Sequence, residues 1–128
     1  LLSVLMIGVI AMATMSSILL ISIGILRSGF AFQQSVQSIA LAHTCAESAL
    51  RSLWEQSDYT GNESVALPEG ECDILRVGGA GNENRSVCVE GRAGDTVRRF
   101  EIILQRILPS IQITSWTEVE HFTACSYQ

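Results

Sequence analysis

Charge is absent from the start of this chain. Between Leu1 and Leu26 there is no Asp, Glu, Lys, Arg or His, and the residues are Leu, Ile, Val, Met, Ala, Gly, Ser and Thr. As an α-helix this run would be about 39 Å long, whereas the hydrocarbon core of a bilayer is about 30 Å thick. The run also lacks the charged start, the short apolar region and the small-residue cleavage site of a cleavable signal peptide. We therefore expect a retained transmembrane helix over residues 1–26.

Clustered positive charge is missing as well. The chain has no lysine, and its 8 basic residues stand against 13 acidic ones, which gives a net charge of −5. Arg98 and Arg99 are its only adjacent basic pair. Because phosphate binding relies on clustered positive charge, this balance argues against a nucleic-acid partner. We interpret the two arginines as ordinary surface side chains of a β-strand.

Sequence motifs for catalysis and metal binding are not found. The chain contains no G-x-S-x-G, H-E-x-x-H or P-loop motif, and its two histidines are far apart with no nucleophile beside them. There is no C-x-x-C, and His43 and Cys45 are two residues apart, so they point in different directions on a helix. We expect no enzyme activity, no metal site and no cofactor, with His43 as an interior or boundary side chain.

No proline interrupts the chain before Pro68, and a helical pattern continues beyond Arg27. Steps of three and four residues connect one apolar stripe, formed by Phe32, Val36, Ile39, His43, Ala46, Leu50 and Leu53. This spacing predicts a single helix from near Leu1 to about Gln56, apolar all round over 1–26 and amphipathic over 27–57. The stripe would pack on a domain of the same chain, with a coiled-coil seam as the alternative.

The pattern changes after Tyr59. Seven of the ten glycines fall between Tyr59 and Asp95, with short apolar runs between them. The strand candidates are 72–77, 85–90, 96–107 and 111–116, separated by turns that include 78–84 and 91–95. In the third candidate, Phe100, Ile102 and Leu104 face one way, so one face is buried. We predict an α+β fold in which a small antiparallel sheet, the head over residues 58–128, packs on the helix.

The cysteines all follow the apolar run, at Cys45, Cys72, Cys88 and Cys125. An even number in a short extracytoplasmic segment predicts two disulfides, and four cysteines allow three pairings. Cys72 shares a strand face with Ile74, which should look toward the helix, so Cys45–Cys72 is favoured. Cys88 lies on the face opposite its two valine neighbours, where the C-terminal Cys125 can reach it.

A family resemblance lies in residues 17–54, SILLISIGILRSGFAFQQSVQSIALAHTCAESALRSLW. This segment is similar to the PilX-type N-terminal region of type IV pilins and pilin-like proteins, in which a long apolar stretch leads to an Ala-rich segment ending in A-A-E-x-A-L. Here that ending is 45–50, with Cys45 at the first small position. The chain departs from the family pattern because it has no acidic residue before Glu47 and no proline in the apolar helix.

The resemblance implies a structural subunit of a type IV pilus or pilus-like surface filament. Such a subunit resides in the bacterial inner membrane before assembly and in an extracellular filament afterwards. Its partners would be identical subunits, the inner membrane and the pilus assembly machinery. The residues expected to pack in the filament core are Leu5, Ile7, Val9, Ile10, Met12, Ile18, Leu19, Ile21, Ile23 and Leu26.

Two further expectations concern the surface. Glu47 is either solvated or a contact for a neighbouring subunit, and the turns at 78–84 and 92–95 would decide what the filament touches. The alternative to a filament is a single-span, membrane-anchored extracytoplasmic binding domain that does not polymerise.

Overall fold

A computed structural model describes residues 1–125. One helix, α1 (Leu2–Glu55), precedes five strands: β1 (Glu63–Leu67), β2 (Gly70–Ile74), β3 (Glu83–Ala93), β4 (Thr96–Arg106) and β5 (Gln112–Val119). The strands form one sheet in chain order, and every neighbouring pair is antiparallel. The predicted α+β class, the single long helix and the antiparallel meander are therefore confirmed.

The chain divides into two compact units, Leu1–Gln33 and Gln34–Gln128. Every residue of the first unit is helical or terminal and is exposed. The second unit contains the C-terminal part of α1 and the whole sheet. Its hydrophobic core lies between them.

The buried face of α1 is made mostly of small residues. It comprises Ser38, Leu41, Ala42, Cys45, Ala46, Ala49, Leu50 and Leu53. Small side chains let the helix backbone approach the sheet closely, and the closest approach is at Gly91 in β3. A Cβ added to Gly91 would lie 2.2 Å from the Ser38 carbonyl oxygen and 2.7 Å from the Ala42 nitrogen. At this point the helix backbone lies directly against β3, the central strand of the sheet.

The buried face of α1 differs in part from the apolar stripe predicted from the sequence. Ala46, Leu50 and Leu53 are buried as expected, but Phe32 and Val36 are exposed. Ile39 and His43 are only half-buried. The buried face is rotated about the helix axis toward Ser38, Ala42 and Ala49 instead. Next to Gly91, only side chains as small as those of Ser38 and Ala42 fit.

The strands bury alternate residues against α1. In β4 these residues are Phe100, Ile102 and Leu104, as the sequence predicts, and β3 adds Val87 and Val89. β1, a short edge strand that forms a hairpin with β2, is not among the strands predicted from the sequence.

The opposite face of the sheet is also partly buried, which the prediction of one buried face did not include. The segment after β5 returns over this face, where Phe122 and Cys125 form a second small core with Cys88. Half-buried Leu75 and Val119 pack against this core.

Two disulfides connect these elements. Cys45–Cys72 joins α1 to β2 with a Cα separation of 6.2 Å, and Cys88–Cys125 joins β3 to the C-terminal segment with a Cα separation of 6.3 Å. These are the two pairings that the sequence favours. One bond lies on each side of the sheet.

Candidate functional site

The most distinctive surface is the apolar run of α1. The side chains expected to pack in a filament core each expose between 50% and 76% of their surface. The most apolar 18-residue stretch of the helix has a mean hydropathy of 2.5, and none of it is buried. By length and composition α1 can cross a membrane, so it suggests a membrane anchor or a signal segment.

Four of the five hydroxyl groups in this run donate hydrogen bonds within the helix. Thr14 donates to the carbonyl oxygen of Ala11 at 2.9 Å, and Ser22 donates to that of Ile18 at 2.9 Å. Ser16 and Ser17 donate in the same way to carbonyl oxygens four residues earlier. A hydroxyl placed in hydrocarbon without a hydrogen bond costs roughly 2–7 kcal/mol. Because each of these donors is satisfied within the helix, the run can enter lipid or a bundle of apolar helices.

The charged residues of α1 all come after the apolar run in the sequence. Arg51 and Glu55 form an ion pair one helical turn apart at 3.2 Å. Glu47 is exposed, and within residues 1–125 it makes no ion pair or hydrogen bond. The structure therefore leaves Glu47 open to solvent or to a second molecule.

A buried arginine holds the glycine-rich turn at 78–84. The Arg85 guanidinium donates to the carbonyl oxygens of Ser57 at 2.7 Å and of Gly78 and Gly81 at 2.9 Å each. Burial lowers the pKa of Arg85, and the carbonyl oxygens offset the loss of water around the charge. The arginine thus fixes the turn against the segment that follows α1.

Sequence reasoning missed this role of Arg85. Its inward direction could have been found from its alternation with Val87 and Val89 along β3. Its carbonyl partners could not, because they come from two loops that only the folded chain brings together. A second link holds the same turn, since the Asn82 amide group exchanges hydrogen bonds with the backbone N–H and carbonyl oxygen of Leu108.

The adjacent arginines of β4 lie on opposite faces of the sheet. Arg98 pairs with Glu118 and donates to the Ser35 hydroxyl on α1 at 2.6 Å. Arg99 lies on the other face and pairs with Glu90 at 2.7 Å. Since their charges are separated and each has an acidic partner, they do not combine into one basic surface.

Glu101 binds the C-terminal segment. Its carboxylate accepts hydrogen bonds from the backbone N–H groups of Thr123 at 2.9 Å and Ala124 at 3.1 Å, and from the Thr123 hydroxyl. Burial favours the neutral acid, but these hydrogen bonds outweigh it and hold the pKa of Glu101 below its usual range. Because Glu101 alternates with Phe100 and Ile102 along β4, the prediction of one buried face puts it on the solvent side, and no local pattern indicates this contact.

His43 packs at the border between helix and sheet. Its ring centroid lies 4.7 Å from that of Phe100 and 5.3 Å from that of Trp116. These contacts agree with the interpretation of His43 as a boundary side chain. Across residues 1–125, no group of three or more His, Cys, Asp and Glu side chains could hold a metal ion.

Two features of residues 1–125 stand out. They are an apolar helix surface and a head held by two disulfides, the Arg85 contacts and the Glu101 contacts. Comparison with known proteins adds no further assignment: the chain matches no protein-family model, no curated protein and no solved structure.

Proposed function

We propose that this chain is a structural subunit of a type IV pilus or pilus-like surface filament, assembled by packing of its apolar N-terminal helices. The observation that carries the proposal is the apolar run of α1, in which every residue from Leu1 to Leu26 is exposed. A surface of this kind requires lipid or other apolar helices around it. A filament subunit uses both environments in turn.

The energetics favour a filament that is stable once formed. Burying one Leu, Ile, Val or Met side chain contributes about 1.5–3 kcal/mol relative to water. Each subunit has ten such side chains among those expected in the core, all at least half exposed in the single chain. Transfer from lipid to a helix bundle gains less, because it depends on close packing rather than on leaving water. The assembly machinery would therefore act during extraction from the membrane.

The head would form the outer surface of the filament. The hydrophobic core and the Cys45–Cys72 disulfide hold its sheet on α1. The turns at 78–84 and 92–95 would face binding partners of the filament. The proposal assigns no catalytic residue and no cofactor. It places the subunit in the bacterial inner membrane before assembly.

A membrane-anchored binding domain that does not polymerise is the competing function. Independent ectodomains are commonly joined to their anchor by a flexible segment rich in Pro, Gly or Ser. Here residues 27–55 continue as helix, and their last part packs on the sheet. This continuation favours the filament subunit.

Cell fractionation distinguishes the two functions. A filament subunit should be present in the membrane fraction and also in material sheared from the cell surface. An anchored binding domain should remain in the membrane fraction after shearing.

A further inference from the structure

Two opposite charges on α1 have no partner among residues 1–125 of their own chain. Arg27 and Glu47 are both exposed, and neither makes an ion pair or hydrogen bond in the described part of the chain. The other acid near the end of the helix, Glu55, is already paired with Arg51. Arg27 and Glu47 are therefore available for contacts between molecules.

Two exposed apolar side chains point in nearly the same direction from α1 as Glu47 does. Val36 is 11 residues before it and Trp54 is 7 residues after it, so on a helix both lie within about 20° of its direction. Val36 is 50% exposed and Trp54 is 53% exposed. Tryptophan is enriched at the energetic centres of protein interfaces. We call Val36, Glu47 and Trp54 the acidic strip.

Arg27 has a matching environment. Ile23 is four residues before it and Phe30 is three residues after it, so both lie on the same side of the helix as the arginine. Ile23 is 50% exposed and Phe30 is 67% exposed. We call these three residues the basic strip. Each strip combines one charge with exposed apolar side chains on the same side of the helix, and the two charges are opposite.

We propose that the basic strip of one subunit docks on the acidic strip of a second copy of this chain, with Arg27 paired to Glu47. This inference rests on the proposed filament function. When apolar helices pack side by side, water leaves the groups between them, and a guanidinium enclosed without an acidic partner is strongly unfavourable. Glu47 supplies a carboxylate on a helix face that also exposes apolar side chains.

The contact would also explain why assembly continues. Arg27 and Glu47 are different positions, so the contact uses two different surfaces, and each copy keeps one free strip after one pairing. Contacts between two different surfaces close into rings or extend into open helical filaments, depending on the rotation between copies. A subunit that forms a filament needs the second outcome.

A charge exchange tests the pairing. Full-length chains carrying Arg27→Glu, Glu47→Arg or both would each replace the wild-type chain in cells, and the amount in sheared filaments would be compared with the amount in membranes. Each single variant should lower the filament fraction on the order of tenfold, because it places like charges at the contact. The double variant should restore most of this loss. Ser48→Arg, which adds a cation to the neighbouring exposed position, should have a much smaller effect than Glu47→Arg.

Cysteine cross-linking provides a second measurement that does not depend on charge. Cells would co-express one chain with Arg27→Cys and one with Glu47→Cys, and the oxidised filaments should contain a disulfide-linked dimer of the two. If the second chain carries Ser48→Cys in place of Glu47→Cys, less of the disulfide-linked dimer should form.

The outcomes separate this pairing from the filament function. If the wild-type chain forms filaments but the single variants assemble normally, or the double variant does not recover, the pairing is wrong and the filament function stands. If the wild-type chain never leaves the membrane fraction, both are wrong.

Discussion

At the scale of single residues, Gly91 sets the distance between helix and sheet. Its missing side chain lets the backbone of α1 lie against β3, next to Ser38 and Ala42. A methyl group added at Gly91 would be poorly tolerated, because the nearest atoms belong to the helix backbone and cannot rotate away as a side chain can.

We predict that Gly91→Ala destabilises the head. The added Cβ would overlap the Ser38 carbonyl oxygen, so α1 and β3 would have to separate. Overpacking of this kind costs about 1–3 kcal/mol, measurable as a lower midpoint of thermal unfolding of the detergent-solubilised chain.

Gly29→Ala is the matched control for this substitution. A Cβ at Gly29 meets nothing within 4 Å, and the residue is helical. Alanine should therefore leave the unfolding midpoint unchanged or raise it slightly. Equal effects of the two substitutions would contradict the close contact at Gly91.

Glu101 links the stability of the head to pH. Hydrogen bonds from Thr123 and Ala124 hold the pKa of the folded carboxyl below its usual range, so the folded chain binds this proton less readily than the unfolded chain. The resulting stabilisation is complete above the unfolded pKa of about 4.3 and is lost as pH falls through the lower folded value. The free energy of unfolding should therefore decrease below about pH 4.

Glu101→Gln should remove much of this pH dependence. At pH 7 it should lower the free energy of unfolding by about 1–3 kcal/mol, since it replaces hydrogen bonds to a charged acceptor. Denaturant unfolding at pH 7 and pH 3 measures both effects. Glu69→Gln, at an exposed position, is the control and should behave as the wild-type chain does. If Glu101→Gln leaves the pH dependence of unfolding unchanged, Glu101 does not stabilise the fold in this way.

At the scale of elements, the Cys45–Cys72 bond holds the helix on the sheet. It joins residues that are 27 positions apart, on α1 and β2. Both sulfur atoms lie in the main core, where the helix covers the sheet.

We predict that replacing both cysteines, Cys45→Ser with Cys72→Ser, destabilises the head by about 2–4 kcal/mol by freeing the unfolded chain. The helix should then separate from β2 more often, which limited proteolysis without reductant would detect as faster cleavage. Cys45→Ser alone should also reduce the amount of stable subunit. Protease resistance equal to that of the wild-type chain would exclude this role for the bond.

The elements that the sequence predicts well are those with local patterns. The helix bounds follow from an uninterrupted periodicity without proline, and the buried side of β4 follows from alternation at Phe100, Ile102 and Leu104. β1 escaped prediction because five residues at the edge of a sheet leave only a weak pattern.

The remaining differences come from contacts between distant segments. The buried stripe of α1 shifts to Ser38 and Ala42 because Gly91 lies opposite them. Glu101 is covered because the C-terminal segment returns over the sheet, where Cys125 meets Cys88. The candidate site was more predictable, since the apolar run is visible from composition alone.

At the scale of the whole molecule, the proposed function requires the apolar run to be stable in two surroundings, lipid and the core of a filament. Its exposed aliphatic side chains suit lipid, and four of its five hydroxyl groups donate to carbonyl oxygens of the same helix. A charge in the middle of the run would be unfavourable both in lipid and in a filament core.

We predict that Leu19→Asp strongly reduces membrane insertion and filament incorporation. A central Asp disfavours insertion by roughly 2.5–3.5 kcal/mol on the insertion scale. The head should keep its fold, because Leu19 lies in the other compact unit. Quantitative immunoblots of membrane and sheared fractions measure the effect, and Leu19→Met is the control. Normal incorporation of the Asp variant would be incompatible with a buried apolar run.

The most direct test of the central claim is electron microscopy of material sheared from the cell surface, combined with mass spectrometry of the same material. A filament subunit predicts thin filaments that contain this chain, with peptides from the head and from the apolar run. Sheared material without the chain, while the chain stays in the membrane fraction, would contradict the filament function and favour an anchored binding domain.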